Sequence, residues 1–305
     1  MRRRAVVVGA LGVFASACTA SRLPGGGSSA SARAPLLAVK IDNVGPARPQ
    51  TGLDEADLVY VEQVEAGLSR LMAVFGSRLP KVVGPVRSAR ETDLELLRQF
   101  DRPTLAYSGA QSALRPSIES APLRAAPPGE AGSAYFRGDD KPAPHNLYLR
   151  PAKLGDPAAG VHAGEAAGFE FAERAPKGGR AETEHTVRFP AARFTFNWSA
   201  EDGRWLVGMD GRAATTATGK RLGAPTVVVQ YVDVAPSRFH DRSGNTSPLS
   251  RTVGEGDAVV LRDGRTYEAQ WRRPSPTSGT TYSAADGAAA LPFAPGAVWV
   301  VLAKR

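Results

Sequence analysis

The sequence predicts an α+β protein, with a mixed α/β N-terminal domain over about 35–175 and a smaller, mostly-β C-terminal domain over about 185–305. Three observations predict this. The chain has 305 residues, 42% hydrophobic and 22% charged, the balance of a globular protein with room for two cores. The first half mixes apolar runs and a helical stretch without strict alternation of strand and helix. The second half is a series of short β-type runs separated by Asp-Gly turns.

Ahead of both halves lies an address. Met1-Arg2-Arg3-Arg4 is a positive n-region, Ala5 to Ala15 a short apolar h-region, and Ala15-Ser16-Ala17-Cys18 sets small residues before the sole cysteine. This predicts a signal peptide over 1–17, a lipid on Cys18, and a flexible Gly/Ser/Ala-rich tether over 18–34. Arg3-Arg4 before an apolar run also fits a twin-arginine signal, so the export route stays open. The expected location is the outer face of the bacterial cytoplasmic membrane, where the chain is anchored as a lipoprotein. A single cysteine excludes an internal disulfide and a cysteine metal site. The formal net charge of +8 falls to +5 once Arg2, Arg3 and Arg4 are removed. That mild excess suits anionic wall polymers or headgroups. Without a basic stripe interleaved with aromatics, nucleic acid is not an expected partner.

In the first half, Leu36 to Ile41 predicts a strand ending at Asp42-Asn43. Val44 to Gly52 is an irregular loop, and Leu53 to Asp57 one helical turn. Asp57 to Glu65 and Leu68 to Phe75 predict a hairpin across a two-residue Ala66-Gly67 turn. In that register Gln63 faces Arg70, and Glu65 is a diagonal neighbour of Arg70 on one face, with Tyr60 and Glu62 on the other. The two acids are either an ion-pair network or ligands for a cation or substrate. In Gly84-Pro85-Val86-Arg87-Ser88-Ala89-Arg90, Ser88 is the expected N-cap, with Glu91 completing a capping box before the Leu94, Leu96, Leu97 run. Arg87 and Arg90 beside a helix start favour an anion. Pro103 to Tyr107 predicts a strand, and Ala110 to Glu119 a helix interrupted at Pro116. After a Pro/Gly/Ala-rich loop over 121–133, His145-Asn146 sits on a turn held by Pro142 and Pro144.

In the second half, strands are expected at 185–189, 194–199, 204–209, 225–234, 257–262, 266–271 and 297–302, as a small barrel or sandwich. Asp263-Gly264 is a hairpin turn. All four tryptophans, Trp198, Trp205, Trp271 and Trp299, fall here as core candidates.

Reaction signatures are missing. There is no Ser-x-x-Lys, Lys-Thr-Gly, Gly-x-Ser-x-Gly, His-Glu-x-x-His or P-loop, and no cofactor is evident. The remaining polar motifs resemble the YerB-like lipoprotein family, a bacterial family without an assigned biochemical function. The resemblance rests on Ile41-Asp42-Asn43, Ala47-Arg48-Pro49-Gln50, Gly52-Leu53-Asp54-Glu55-Ala56-Asp57, Val59-Tyr60, Glu62, Glu65, Arg70, Gly84 to Arg90, and Pro144-His145-Asn146-Leu147-Tyr148. Thr252-Val253-Gly254, Asp263-Gly264, Trp271, Pro295-Gly296 and Trp299 extend it more loosely into the second half. Val61, Ala66 and Ser69 depart from the family pattern of Glu, Gly and Thr. The resemblance implies a two-domain envelope lipoprotein and supplies no reaction.

The expected function is a non-catalytic, membrane-anchored binding protein for an anionic ligand, with peptidoglycan or another wall polymer as partner. Its expected ligand-binding residues are Asp42, Asn43, Arg48, Gln50, Tyr60, Glu62, Glu65, Arg70, Arg87, Ser88, Arg90, His145 and Asn146. One alternative is a wall hydrolase or lyase, with Glu62 or Glu65 as acid or base and His145 as partner, with or without a metal. The other is a scaffold that binds an envelope protein through an aromatic patch at Trp198 and Trp271.

Overall fold

A computed structural model describes residue 1 and residues 35–156, 158–241, 244–287 and 289–305. Cys18, the tether and, Met1 apart, the signal peptide lie outside the described residues. In chain order the first half contributes β1 (Leu37–Asp42), β2 (Leu58–Gln63), β3 (Ser69–Phe75), α1 (Glu91–Leu97), β4 (Thr104–Ala106), α2 (Arg115–Glu119), β5 (Arg124–Ala125), β6 (Tyr135–Arg137), β7 (Leu147–Leu149) and α3 (Ala163–Ala166). The second half contributes β8 (Arg180–Ala181), β9 (Glu184–Phe189), β10 (Ala192–Ser199), β11 (Arg204–Met209), β12 (Arg212–Ala213), β13 (Gly223–Ala224), β14 (Thr226–Val232), β15 (Val234–His240), β16 (Thr246–Ser250), β17 (Gly254–Arg262), β18 (Arg265–Arg273), β19 (Thr281–Ala284) and β20 (Val298–Lys304). Strands dominate, helices are short, and the fold is α+β with a mostly-β second half.

One large sheet runs through both halves in the order β19-β18-β17-β14-β20-β2-β3-β1-β4-β5, with β8 on β18. Its hinge is β20, which pairs in parallel with β14 on one side and with β2 on the other. The run Val298 to Ala303 is buried at every position. A strand with neighbours on both edges and cover on both faces needs such a run. A second sheet, β12-β11-β10-β9 with β13 on β11, covers one face of the first. There Phe189, Phe194, Phe196 and Trp205 pack with Val39, Ile41, Val61 and Leu71. The opposite face carries Tyr60, Met72 and Val74 under Leu96 and Leu97 of α1. The sandwich expected of the second half therefore exists, but its larger layer continues into the first half. Trp205, Trp271 and Trp299 are buried, and the half-buried Trp198 lies against Trp205 with ring centroids 5.6 Å apart.

Three local expectations need correction. The β2–β3 turn has three residues, Glu65 to Gly67, with Ala66 and Gly67 both in left-handed backbone, φ 56° and 70°. The register therefore moves by one: Arg70 faces Glu62 and Gln63 faces Ser69. The cap of α1 is Arg90 and not Ser88; its N–H donates to Asp93 Oδ2 at 2.6 Å, so Asp93 takes the role expected of Glu91. Pro116 does not interrupt a helix but sits in the first turn of α2, where its missing N–H costs nothing.

Gly84 holds the motif stretch in place. Its φ is +154°, and a Cβ there would lie 2.9 Å from Leu147 O and from Tyr148 Cδ1. Gly84→Ala is expected to destabilise the protein by about 1–3 kcal/mol, read as a lower urea midpoint.

Candidate functional site

The Gly84–Arg90 stretch is extended and pinned by backbone hydrogen bonds on both sides. Asp42 N–H donates to Pro85 O, Val86 N–H to Leu147 O, Arg87 N–H to Lys40 O, and Ala89 N–H to Gly109 O. These fix the backbone from which Arg87 and Arg90 project, beside the end of β1 and the exit of β4.

Asp42, almost fully buried, collects two partners. His145 Nδ1 lies 2.8 Å from its Oδ2, and Arg87 Nε forms an ion pair with the same oxygen at 3.2 Å. The Arg87 contact is poorly aligned, so its buried Nε has no hydrogen-bond partner among the described residues. Glu65, on the turn, takes a two-pronged bond from Arg90: Nε to Oε1 at 2.5 Å and Nη2 to Oε2 at 2.8 Å. Ser247, from the second half, donates its hydroxyl to Glu65 Oε1. Burial works to raise the Glu65 carboxyl, but the Arg90 bonds and charge, with Ser247, outweigh it and hold the carboxyl below its usual value. Glu65 is thus an ionised anchor for Arg90 and a poor proton donor.

Arg70 is different. Among the described residues it makes one hydrogen bond, to Ser88 O at 3.2 Å, and no carboxylate lies within ion-pair distance. Burial, and next the positive charge of Arg90, push its guanidinium down to about 10, with Glu65 and Asp42 opposing and Arg87 adding. The group stays charged at neutral pH, in a setting that penalises the charge.

These residues line a cleft of about 910 Å³. Asp42, Glu65, Arg70, Arg87, Ser88 and Arg90 are on its wall, with Pro144 and Leu147 flanking His145. The remaining expected residues sit elsewhere. Asn43, Arg48 and Gln50 bond to one another behind the cleft: Arg48 Nε and Gln50 Nε2 both donate to Asn43 Oδ1, and Arg48 Nη1 also reaches Asp210 at 2.8 Å. Asn146 Oδ1 accepts from Arg137 Nη1 at 2.7 Å, so it positions an arginine that lines the cleft. Tyr60 is buried under α1, where Gln99 Nε2 donates to its hydroxyl. Glu62 is buried as well, in an ion-pair triad with Lys40 and Asp93. The two acids of the hairpin therefore part, Glu65 to the cleft and Glu62 to the core. No exposed aromatic patch joins Trp198 and Trp271, since Trp271 is buried.

Sequence reasoning missed Gln111, Arg115, Arg137 and Ser247 on the cleft wall. Arg115 and Arg137 carried no motif, and Ser247 arrives on a strand that was not expected. Among the described residues the buried Gln111 Oε1 lacks a hydrogen-bond partner, like Arg87 Nε. Among the described residues no group of three or more His, Cys, Asp or Glu side chains is placed to hold a metal ion. Chemically, the wall offers fixed guanidinium groups and an amide to an incoming anion, with carboxylates already engaged.

Comparison with known proteins follows the same lines. Residues 23–163 match the N-terminal domain, and residues 185–300 the C-terminal domain, of a family described as a protein of unknown function (DUF3048). The chain is 25% identical over 288 residues to the Bacillus subtilis (strain 168) protein named "Putative lipoprotein YerB", covering 87% of this chain and 80% of that protein. The crystal structure of YerB protein from Bacillus subtilis matches with a TM-score of 0.70 at 23% identity, over 88% of this chain and 91% of that one. At that identity the structural likeness bears on the fold alone.

Proposed function

The chain belongs to this family of proteins of unknown function (DUF3048), and from that premise we propose that it is an envelope lipoprotein that binds an anionic wall ligand without transforming it. The anchor is a lipid on Cys18, and the site faces the outer side of the cytoplasmic membrane. The relative's name, "Putative lipoprotein YerB", and the residues around Cys18 support the anchor.

Arg70 carries the binding reading. A half-buried, charged guanidinium on a cleft wall, held by one carbonyl and no carboxylate among the described residues, is open to an anionic partner. A carboxylate or phosphate from a ligand would supply it. Arg87, Arg90 and Arg115 add guanidinium groups to the same wall. A ligand suited to these guanidinium groups carries an anion, as peptidoglycan stems do. The hydrolase alternative draws less support, since Glu62 is sequestered from the cleft and Glu65 is committed to Arg90.

The test is retention of the full chain, solubilised in mild detergent, on purified wall sacculi. Arg70→Gln and Arg70→Gln/Arg115→Ala run beside the parent, with thermal melting to show that each is folded. Loss of one charge-assisted hydrogen bond, about 1.5–3 kcal/mol, gives an expected affinity loss of about tenfold or more for Arg70→Gln. Retention that is equal in parent and variants and disappears at moderate salt overturns the reading, because it marks unspecific charge.

A further inference from the structure

A second cavity, about 660 Å³, lies directly beyond the Glu65 turn from the first. The two share Val64, Glu65, Ala66 and Ser247 as wall residues. One hairpin, β15–β16, runs along both: Val234, Pro236 and Pro248 at its base line the second cavity, and Phe239 and His240 line the first. Glu65, fixed by Arg90 and Ser247, therefore stands at a waist between two chambers and does not close the end of one.

The chemistry of the two chambers is alike. Arg188 and Lys304 line the second and are exposed, and among the described residues neither has a carboxylate within ion-pair distance. Half-exposed Tyr231 and the rings of Pro190 and Pro236 add apolar surface to the same wall. On the other side of the waist stands Arg70, also without a carboxylate. Pockets for single small molecules span about 300–1,000 Å³. The first chamber alone nearly fills that range, so a second one with its own unpaired cations exceeds what one small ligand requires. Cations set at intervals along a groove match anions set at intervals along a chain.

We propose that the two cavities form one groove for a linear polymer with repeated anionic groups, a wall glycan strand bearing carboxylate stems, which passes the Glu65 waist and engages Arg70 in one chamber and Arg188 with Lys304 in the other. This rests on the binding reading above and names its ligand as a strand and not a single unit. Engagement of two connected subsites makes the second contact intramolecular, so affinity rises with strand length.

The experiment uses fragments from one batch of sacculi: single disaccharide-peptides, and strands of four or more disaccharide units carrying the same stems. Binding to the full chain in mild detergent is measured by fluorescence anisotropy of end-labelled fragments. Strands are expected to bind about tenfold or more tightly than single units, counted per fragment. In Arg188→Ala/Lys304→Ala that ratio is expected to fall towards one, while Arg70→Gln weakens both fragments. Equal affinities for the two lengths, lost in Arg70→Gln, would overturn the groove and leave a one-chamber site. A length ratio unchanged in Arg188→Ala/Lys304→Ala would also overturn it, because the gain would then be statistical. Binding of neither fragment would overturn the wall-ligand reading and the groove together.

Discussion

Replacing Lys40 by alanine is expected to cost about 3–5 kcal/mol of stability, the effect of removing one partner from a buried ion pair. Lys40 is the fourth residue of β1 and has no exposed surface. Its ammonium donates to Glu62 Oε2 at 2.7 Å and to Asp93 Oδ1 at 2.6 Å. Asp93 in turn caps the Arg90 N–H through its other oxygen, so one carboxylate ties β1 to the start of α1. Without the ammonium, the buried Asp93 carboxylate loses its cation beside the Glu62 carboxyl, in the core between β2 and α1. Urea unfolding should show the loss as a lower midpoint at unchanged slope. Lys40→Ala within about 1 kcal/mol of the parent would mean that the triad is not closed as described.

Glu62→Gln should change the pH dependence of stability more than stability itself. Burial above all, and then the charge of Asp93, push the Glu62 carboxyl up to about 8 against the pull of Lys40. The unfolded chain loses the carboxyl proton near the ordinary value of 4.5, and the folded protein keeps it until about 8. The folded state therefore binds more protons across that window. The stability contributed by the protonated carboxyl is complete below 4.5 and is lost as pH rises through about 8. Glutamine has no proton to lose. Relative to the parent, Glu62→Gln is expected to gain about 4 kcal/mol between pH 5 and pH 9. Parallel stability curves for the two proteins would show that Glu62 is ionised throughout.

Both predictions concern residues whose setting the sequence concealed, and the reason is general. Leu37, Val39 and Ile41 announce β1 by alternation, and Asp263-Gly264 announces the β17–β18 hairpin, because those signals are local. Lys40 reads as one polar position in that alternation. That it is fully buried follows from Glu62 on β2 and Asp93 on α1, which no spacing within β1 reveals. The motif stretch pointed to Arg87 and Arg90, and the structure sets both on the cleft wall. Ser247 and Arg115 joined them without a local signal, since a cleft collects residues by topology. Ala66-Gly67 signals a turn but not its length; the turn also takes in Glu65, and that one step of register exchanges the partner of Arg70.

The place of β20 sets a limit on how this protein can be divided. Residues 58–61 of the first half and residues 226–232 of the second are joined only through residues 298–304 between them. The sequence matches two domain descriptions in succession, yet neither stretch is a module that could be transplanted alone. The first would carry β2 with a bare inner edge, an invitation to pair with whatever strand came near. The second would carry β20 with the same fault. A cut in the connection around residues 176–179 would leave two fragments that still share one sheet through β20.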